Sequence, residues 1–268
     1  MTKACVVVTS WDDGHKLDNK LAKILESYGL KGTFYIPMRN RGLGPNMGMS
    51  DSDVISLSSH FEIGAHGVTH QSLTAMSLSQ ARKEIAESKI RLSQLISVEV
   101  KSFCFPNGEY NSKVVGLVRE SGYSNSRTTH SLNFSFDDFR KAGPYNIGCT
   151  IQARQAEQVS LEKARKWKEI VRDPVLFRAI LENPRWDLFG KILFDKVCRE
   201  GGVFHLWGHS WEIDINKDWD KLENLLTHIA NRKEATYMCV SEFADWFFGH
   251  ENMEGVGTEL GSTQGTES

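Results

Sequence analysis

Apolar and polar positions follow two different rhythms along the first half of the chain. Short runs rich in β-branched and aromatic residues predict strands, and they fall at residues 4–10, 31–37, 61–66 and 102–106. Between them, apolar residues recur every three to four positions, which predicts helices at residues 17–28, 49–59, 77–97 and 112–123. This repeated strand–helix order predicts parallel strands joined by helical crossovers, and therefore an α/β doubly wound sheet or barrel.

The second half of the chain is less regular. Helical spacing recurs at residues 157–173, 175–184, 186–201 and 219–232. A strand is predicted at residues 202–208, and a short strand followed by a helix at residues 235–249. Residues 251–268 are polar and glycine-rich without periodicity, which predicts a disordered tail after a single domain at residues 1–250.

Charge and composition narrow the possible partners. The formal net charge is −2 and the pI is near 6.5, without a basic patch, so we expect no nucleic-acid partner. The first apolar run covers only residues 4–8 and no segment reaches the roughly 20 apolar residues of a membrane span, so neither a signal peptide nor an integral membrane segment is expected. Five scattered cysteines without a CxxC pair predict reduced thiols in a cytoplasmic protein.

Polar clusters follow four of the predicted strands. Asp12 and Asp13 come after the first strand, and His66 and His70 after the third. The segment PNGEYN at residues 106–111 follows the fourth strand, and His209 follows the late one. Because the carboxyl ends of parallel strands meet at one edge, we expect these groups to converge on one site.

Two of these clusters suggest metal chemistry. The pair Asp12–Asp13 fits either a plain polar turn or two carboxylates with separate roles. In HGVTH, His66 and His70 are four residues apart in a loop or at a helical start, where they would share one face, although two surface histidines fit the same pattern. Together with Asp13 they would form a set of two nitrogens and one oxygen that suits zinc, cobalt, nickel or iron.

These segments resemble motifs of the polysaccharide deacetylase family, also called NodB-like or carbohydrate esterase family 4 enzymes. TSWDDG is similar to the family's TFDDG, HGVTH to its H-S/T-x-x-H, and FCFPNGEYN to its R-x-P-x-G segment. LWGHSWEI resembles the late strand that carries the family's final histidine. The resemblance implies a distorted (β/α) barrel of about seven parallel strands.

The resemblance also assigns roles to residues. It implies that Asp13, His66 and His70 bind one divalent metal ion, most often Zn²⁺, and that Asp12 is the general base. The backbone N–H of Asn107 would stabilise the oxyanion. The late-strand histidine would protonate the departing amine, because an amine is a poor leaving group until it is protonated.

One position departs from the family pattern. The family has an arginine two residues before the motif proline, paired with the base, and here that position is Cys104. Arg127, in the segment GYSNSRTTH after a further apparent strand, is our candidate substitute, with a plain surface arginine as the alternative. Glu212 is a candidate partner for a histidine or for Arg127. The tryptophans near the late strand are predicted to serve in packing, with stacking on a sugar as the alternative; they are Trp207, Trp211 and Trp219.

The late strand contains two histidines, His205 and His209. On a strand, residues four apart share a face but lie about 13 Å from each other, so they would not readily share one ion. His209, just past the strand end, is therefore the predicted general acid, and His205 a hydrogen-bonded core residue. An alternative alignment with the family motif makes His205 the catalytic histidine instead.

The predicted function is metal-dependent hydrolysis of an N-acyl group, most often N-acetyl, on an amino sugar. The sugar would be free, nucleotide-linked or lipid-linked, as an intermediate of surface-polysaccharide or glycoconjugate biosynthesis. Two other functions fit the same resemblance. One is hydrolysis of a cyclic imide or ureide on the same fold, and the other is carbohydrate binding with impaired turnover, which the cysteine at position 104 suggests.

Overall fold

The structure is a computed structural model that describes residues 4–154, 173–174, 178 and 185–256. Within these ranges the strands are β1 Cys5–Asp12, β2 Thr33–Ile36, β3 Glu62–Ala65, β4 Ser102–Cys104, β5 Asn125–Arg127, β6 Ile151–Gln152, β7 Gly202–Gly208 and β8 Ala235–Met238. The helices are α1 Asp18–Ser27, α2 Asp51–Ser58, α3 Leu78–Ile96, α4 Ser112–Glu120, α5 Phe136–Ala142, α6 Trp186–Glu200, α7 Ser210–Ile215, α8 Trp219–Ile229 and α9 Val240–Val256.

All the described strands pair in parallel, as the alternating pattern predicts. Seven of them form one path in the order β5-β4-β3-β2-β1-β7-β6, and β8 pairs with the first half of β1. The sheet curls until residues 144–153 link its two edges. Ile147 exchanges backbone hydrogen bonds with β5, and Thr150 donates to the His205 carbonyl of β7 at 2.8 Å. The predicted distorted barrel is therefore confirmed.

The two faces of β1 divide the core. Cys5 and Val7 pack with the helices that surround the sheet, whereas Val6 and Val8 pack on the inner face with residues of β7, α5 and α9. Since side chains alternate along a strand, Ser10 and Asp12 continue the inner face toward the carboxyl end. The interior is thus apolar at one end and polar at the end where the predicted site lies.

In three stretches of the chain, the described structure does not simply repeat the predicted pattern. The middle of the chain contains the very short strands β5 and β6 and the helix α5, for which the sequence has no clear periodicity. The helices predicted at residues 157–173 and 175–184 lie almost wholly outside the described residues. Helix α9 ends at Val256, past the predicted domain limit at residue 250, and residues 257–268 lie outside the described ranges.

None of the described helices is both long enough and apolar enough to cross a bilayer. All five cysteines are free thiols in the structure, and those buried are Cys5, Cys104 and Cys149.

Candidate metal and catalytic site

The polar clusters predicted to meet do lie at one end of the barrel. Asp12 is the last residue of β1, and Asp13 follows it directly. His66 follows β3, Arg127 ends β5, and His209 follows β7. The convergence follows from the parallel pairing, which places the carboxyl ends of these strands at the same edge.

Three side chains converge on one point. His70 Nε2 lies 3.0 Å from Asp13 Oδ1, His66 Nε2 lies 3.8 Å from the same oxygen, and the two Nε2 atoms are 3.2 Å apart. Ligand bonds of about 2.0–2.2 Å to one ion place ligand atoms at such mutual separations. The separations of the three side chains therefore fit the predicted metal triad.

The chemistry of the three donor atoms also fits a cation. Among the described residues, Asp13 Oδ1 is buried without a hydrogen-bond partner, which is unfavourable for a carboxylate unless a cation faces it. His66 Nδ1 lies 2.8 Å from the Cys104 carbonyl, which only accepts, so Nδ1 donates its hydrogen. Burial lowers the pKa of His66 to about 4, so the ring is neutral and its Nε2 lone pair faces the triad.

Asp13 is ionised as a ligand requires. Burial by itself raises the pKa of this carboxyl, but His70, His209 and His66 nearby together hold the pKa below its ordinary value. Asp13 also has a positive φ of 85°, an uncommon conformation for a residue with a side chain. Trp211 Nε1 donates to Asp13 Oδ2 at 2.8 Å, and Asn40 Nδ2 donates to the Asp13 carbonyl at 3.2 Å.

The segment between the two triad histidines is a loop, the first of the two predicted alternatives, and not the start of a helix. Gly67 and His70 both have positive φ, 75° and 59°, which a helix does not contain. The carboxylate of Glu84 on α3 instead fixes the loop by accepting hydrogen bonds from the N–H groups of Val68 and Thr69, each at 2.8 Å. The two histidines converge because the loop between them folds back on itself, and not because a helical repeat places them on one face.

Asp12 pairs with Arg127, the predicted substitute arginine. The two side chains are buried and form a short ion pair between Arg127 Nη2 and Asp12 Oδ1. Arg127 stands directly opposite Cys104 in the pairing of β4 with β5. Arg127 thus reaches Asp12 from the strand next to the one that contains Cys104.

A second group of potential ligands, Asp12, His66 and Cys104, also lies within reach of a single ion. A cysteine binds metals as a thiolate. Burial raises the pKa of the Cys104 thiol well above its ordinary value, so the thiol stays protonated. The set of Asp13, His66 and His70 is therefore the better metal site of the two.

His209 has the arrangement of a proton donor. Its Nδ1 lies 2.6 Å from Glu212 Oε2, and its Nε2 faces the site, 3.8 Å from Asp13 Oδ2. Burial lowers the pKa of His209, but the hydrogen bond with Glu212 and the charges of Asp12 and Asp13 outweigh this effect and raise the pKa above its ordinary value. Glu212 thus orients His209, in agreement with the prediction that its partner is a histidine or Arg127. Arg154 Nη1 also pairs with Glu212 Oε1, at 3.1 Å.

His205 lies inside the barrel and uses both ring nitrogens there. Its Nδ1 donates to the Gly148 carbonyl at 3.0 Å, and its Nε2 accepts from the Ser10 hydroxyl at 2.9 Å. Burial lowers its pKa to about 3, so the ring is neutral. Neither nitrogen faces the triad, which disagrees with the alternative alignment that makes His205 catalytic.

Asn107 lies in a tight turn beside the site. Its φ of 59° is left-handed, and the following N–H groups of Gly108 and Glu109 are used within the turn, donating to Phe105 and Pro106. The residue is exposed at the mouth of the barrel. The N–H of Asn107 lies at the start of the turn, and an N–H group at this position has no acceptor within the turn.

The tryptophans near β7 have different surroundings. Trp207 is buried, with its ring 4.9 Å from the Arg127 guanidinium, and Trp219 lies under the Lys20 ammonium at 3.9 Å. The contact of Trp211 with Asp13 was missed by the sequence reasoning, which assigned these residues to packing. No sequence signal indicates it, because 198 positions separate the two residues.

A comparison with family profiles gives a match over the first part of the chain. The sequence profile of the polysaccharide deacetylase family matches residues 1–126, the part that contains the triad, Asp12 and Asn107. The predicted resemblance to this family is thus confirmed over that stretch. A search of curated protein sequences gives no match.

Two solved structures show the same fold, and a third is similar over part of its length. A candidate polysaccharide deacetylase from Mycobacterium smegmatis aligns over 94% of this chain and 92% of its own, with a TM-score of 0.63 and 15% identity. A family 4 carbohydrate esterase from Streptomyces lividans, in complex with acetate, aligns over 87% and 91%, with a TM-score of 0.54 and 14% identity. This chain spans 62% of a Streptococcus pyogenes deacetylase that covers 53% of it, at a TM-score of 0.48 and 18% identity.

Proposed function

From the match of residues 1–126 to the polysaccharide deacetylase family, we propose that this protein is a metal-dependent hydrolase of N-acetyl groups on amino sugars. The substrate is a free, nucleotide-linked or lipid-linked intermediate of surface-polysaccharide or glycoconjugate biosynthesis. The metal is a divalent ion, with zinc favoured by the two imidazoles and one carboxylate.

The convergence of Asp13, His66 and His70 is the observation that carries this proposal. A carboxylate oxygen and two imidazole nitrogens lie 3.0–3.8 Å from one another, and the carboxylate oxygen has no hydrogen-bond partner among the described residues. When bound there, a divalent ion supplies a Lewis acid that polarises the amide carbonyl and acidifies water.

The remaining groups of the site divide the proton transfers between them. Asp12, held by Arg127, accepts a proton from the attacking water molecule. The Asn107 N–H donates a hydrogen bond to the oxyanion that forms at the amide carbon. His209, with its raised pKa and Glu212 at Nδ1, donates a proton to the amine nitrogen as the C–N bond breaks, which leaves acetate and a free amino sugar.

The pairing of Asp12 with Arg127 weakens the case for a carbohydrate-binding protein without turnover. That alternative depended on the loss of the family arginine at Cys104. The structure brings another arginine to the same carboxylate from the adjacent strand. The base therefore retains a cationic partner, and we favour an active enzyme.

Acetate release tests this proposal. Wild-type protein stripped with a chelator and then reloaded with zinc is assayed on N-acetylated chito-oligosaccharides and on UDP-N-acetylglucosamine, with Asp12→Asn as the matched inactive control. We expect acetate only from the reloaded wild type. Equal acetate release with and without metal contradicts the proposal, and so does hydrolysis of a cyclic ureide by a protein that releases acetate from no N-acetylated sugar.

A further inference from the structure

A second feature of the molecule lies directly behind the triad loop. A half-open cleft of about 600 Å³ runs between the polar face of α3 and the segment that follows β2. Its charged lining consists of Arg39, Arg41, Lys83, Glu84, Glu87 and Arg91. Four cations face two carboxylates, so the cleft has an excess of two positive charges.

The two carboxylates in the cleft are already occupied. Glu84 accepts three hydrogen bonds from the triad loop, including one from the Thr69 hydroxyl at 2.9 Å. Glu87 pairs with Arg91 at 3.0 Å and with Lys83 at 3.6 Å. Within the described part of the chain, Arg39 and Arg41 form no ion pair, and both side chains are exposed.

The arginine wall of the cleft is attached to the triad through the backbone. The N–H of Arg39 donates to the Val68 carbonyl at 2.7 Å, and that of Arg41 lies 3.4 Å from the Thr69 carbonyl. Between them, the side chain of Asn40 contacts the backbone of Asp13. The loop that contains His66 and His70 therefore lies between the cleft and the side chains of the predicted metal triad.

We propose that this cleft binds a phosphate ester or diphosphate of the substrate while the acetamido group lies at the triad. Two unpaired guanidinium groups suit such a ligand, because each presents a planar set of N–H donors that matches phosphate oxygens. The excess of two positive charges would be balanced by a dianion. This inference rests on the proposed function for its substrate, although anion binding itself does not depend on activity.

Calorimetric titration with inorganic phosphate tests the cleft without any assay of activity. We expect the double variant Arg39→Gln/Arg41→Gln to bind phosphate about tenfold more weakly than wild type. Arg82→Gln is the matched control, since this exposed arginine of α3 pairs with Glu120 and does not line the cleft. Metal-free and zinc-loaded wild type should bind phosphate equally.

Three results overturn the proposal. One is phosphate binding that survives in the double variant, and another is a wild-type chain that binds no phosphate. The third is binding that disappears when zinc is removed, because the anion would then be at the triad.

Kinetics identify the source of the phosphate. KM is measured for UDP-N-acetylglucosamine, for a polyprenyl diphosphate-linked N-acetylglucosamine and for a neutral N-acetylated chito-oligosaccharide. We expect the double variant to raise KM about tenfold for one of the two diphosphate substrates, with kcat unchanged and the neutral substrate unaffected. An unchanged KM for both diphosphates contradicts the proposal. If no substrate releases acetate, the proposed function fails, whereas the phosphate titration still decides the cleft.

Discussion

Two histidine pairs in this protein have the same spacing in sequence and opposite geometry. His66 and His70 are on a loop whose left-handed residues fold it back, so their Nε2 atoms are 3.2 Å apart. His205 lies within strand β7 and His209 just beyond its end, so extended backbone separates them. The side chains of the first pair therefore converge on one point, whereas the second pair divides into a core residue and a residue of the candidate site.

The environment of each ring explains its role better than the spacing does. His66 and His205 are both buried and neutral, and each donates Nδ1–H to a backbone carbonyl. The Nε2 of His66 faces a carboxylate without a hydrogen-bond partner, whereas that of His205 accepts from Ser10. A neutral buried histidine is thus a ligand or a structural residue according to what its second nitrogen faces.

Removing a triad histidine should have the largest effect. We expect His66→Ala or His70→Ala to reduce acetate release at least about a thousandfold, because both the polarised carbonyl and the acidified water depend on the metal. His60→Ala is the matched control, since this exposed histidine lies outside the site. Activity within tenfold of wild type in either triad variant contradicts the contrast between the two pairs.

Removing the proposed acid should lower turnover without removing the metal. His209→Ala is expected to reduce kcat by about 10²–10⁴, the usual contribution of a general acid, because the amine then leaves without a positioned donor. The comparison is with His205→Gln, in which kcat should stay within a few-fold of wild type. If His205→Gln loses turnover and His209→Ala retains it, the roles of the two residues are reversed.

Removing Arg127 should affect stability as well as activity. Arg127→Met leaves Asp12 as a buried carboxylate without its cationic partner, which should lower the free energy of unfolding by about 3–5 kcal/mol. Denaturant unfolding monitored by circular dichroism gives this value. Arg154→Met, which removes a half-exposed partner of Glu212, is the control and should cost under about 1 kcal/mol.

The smallest effect concerns the pH dependence of stability. The folded-state pKa of His205 is about 3 against an ordinary value of 6.5. Between these two pH values, the unfolded chain binds a proton at His205 and the folded chain does not. The free energy of unfolding therefore falls as the pH falls from about 6.5 to about 3. At pH 5, about 1.5 units below the ordinary pKa, this proton should cost the wild type about 2 kcal/mol.

The variant His205→Gln has no such group. Its free energy of unfolding, measured in urea at pH 7 and pH 5, should therefore fall by about 2 kcal/mol less than that of the wild type. Parallel pH dependence of the two proteins would show that His205 is not the buried neutral residue described above.

Much of the site could be predicted from the sequence because parallel pairing brings the carboxyl ends of the strands, and the residues that follow them, to one edge of the sheet. Asp12, Asp13 and His66 each follow an apolar run, and such runs place their carboxyl ends at one edge. The sequence also predicts Arg127 as the candidate substitute for the arginine missing at Cys104. In the structure Arg127 contacts Asp12, and it lies opposite Cys104 on the neighbouring strand.

Other features left no trace in the sequence. The backbone of His70 is left-handed, a conformation that few non-glycine residues adopt, so the residue type alone does not predict it. The hydrogen bond from Trp211 to Asp13 joins residues from opposite ends of the chain. Strands β5 and β6, with three and two residues, are too short for any alternation to be visible.

The metal content of Asp12→Asn beside that of His66→Ala tests the central claim most directly. If Asp13, His66 and His70 bind the metal and Asp12 acts only as the base, Asp12→Asn retains one equivalent of zinc without releasing acetate, and His66→Ala retains none. Zinc at full occupancy in His66→Ala, or its loss from Asp12→Asn, would contradict this division of the two adjacent carboxylates.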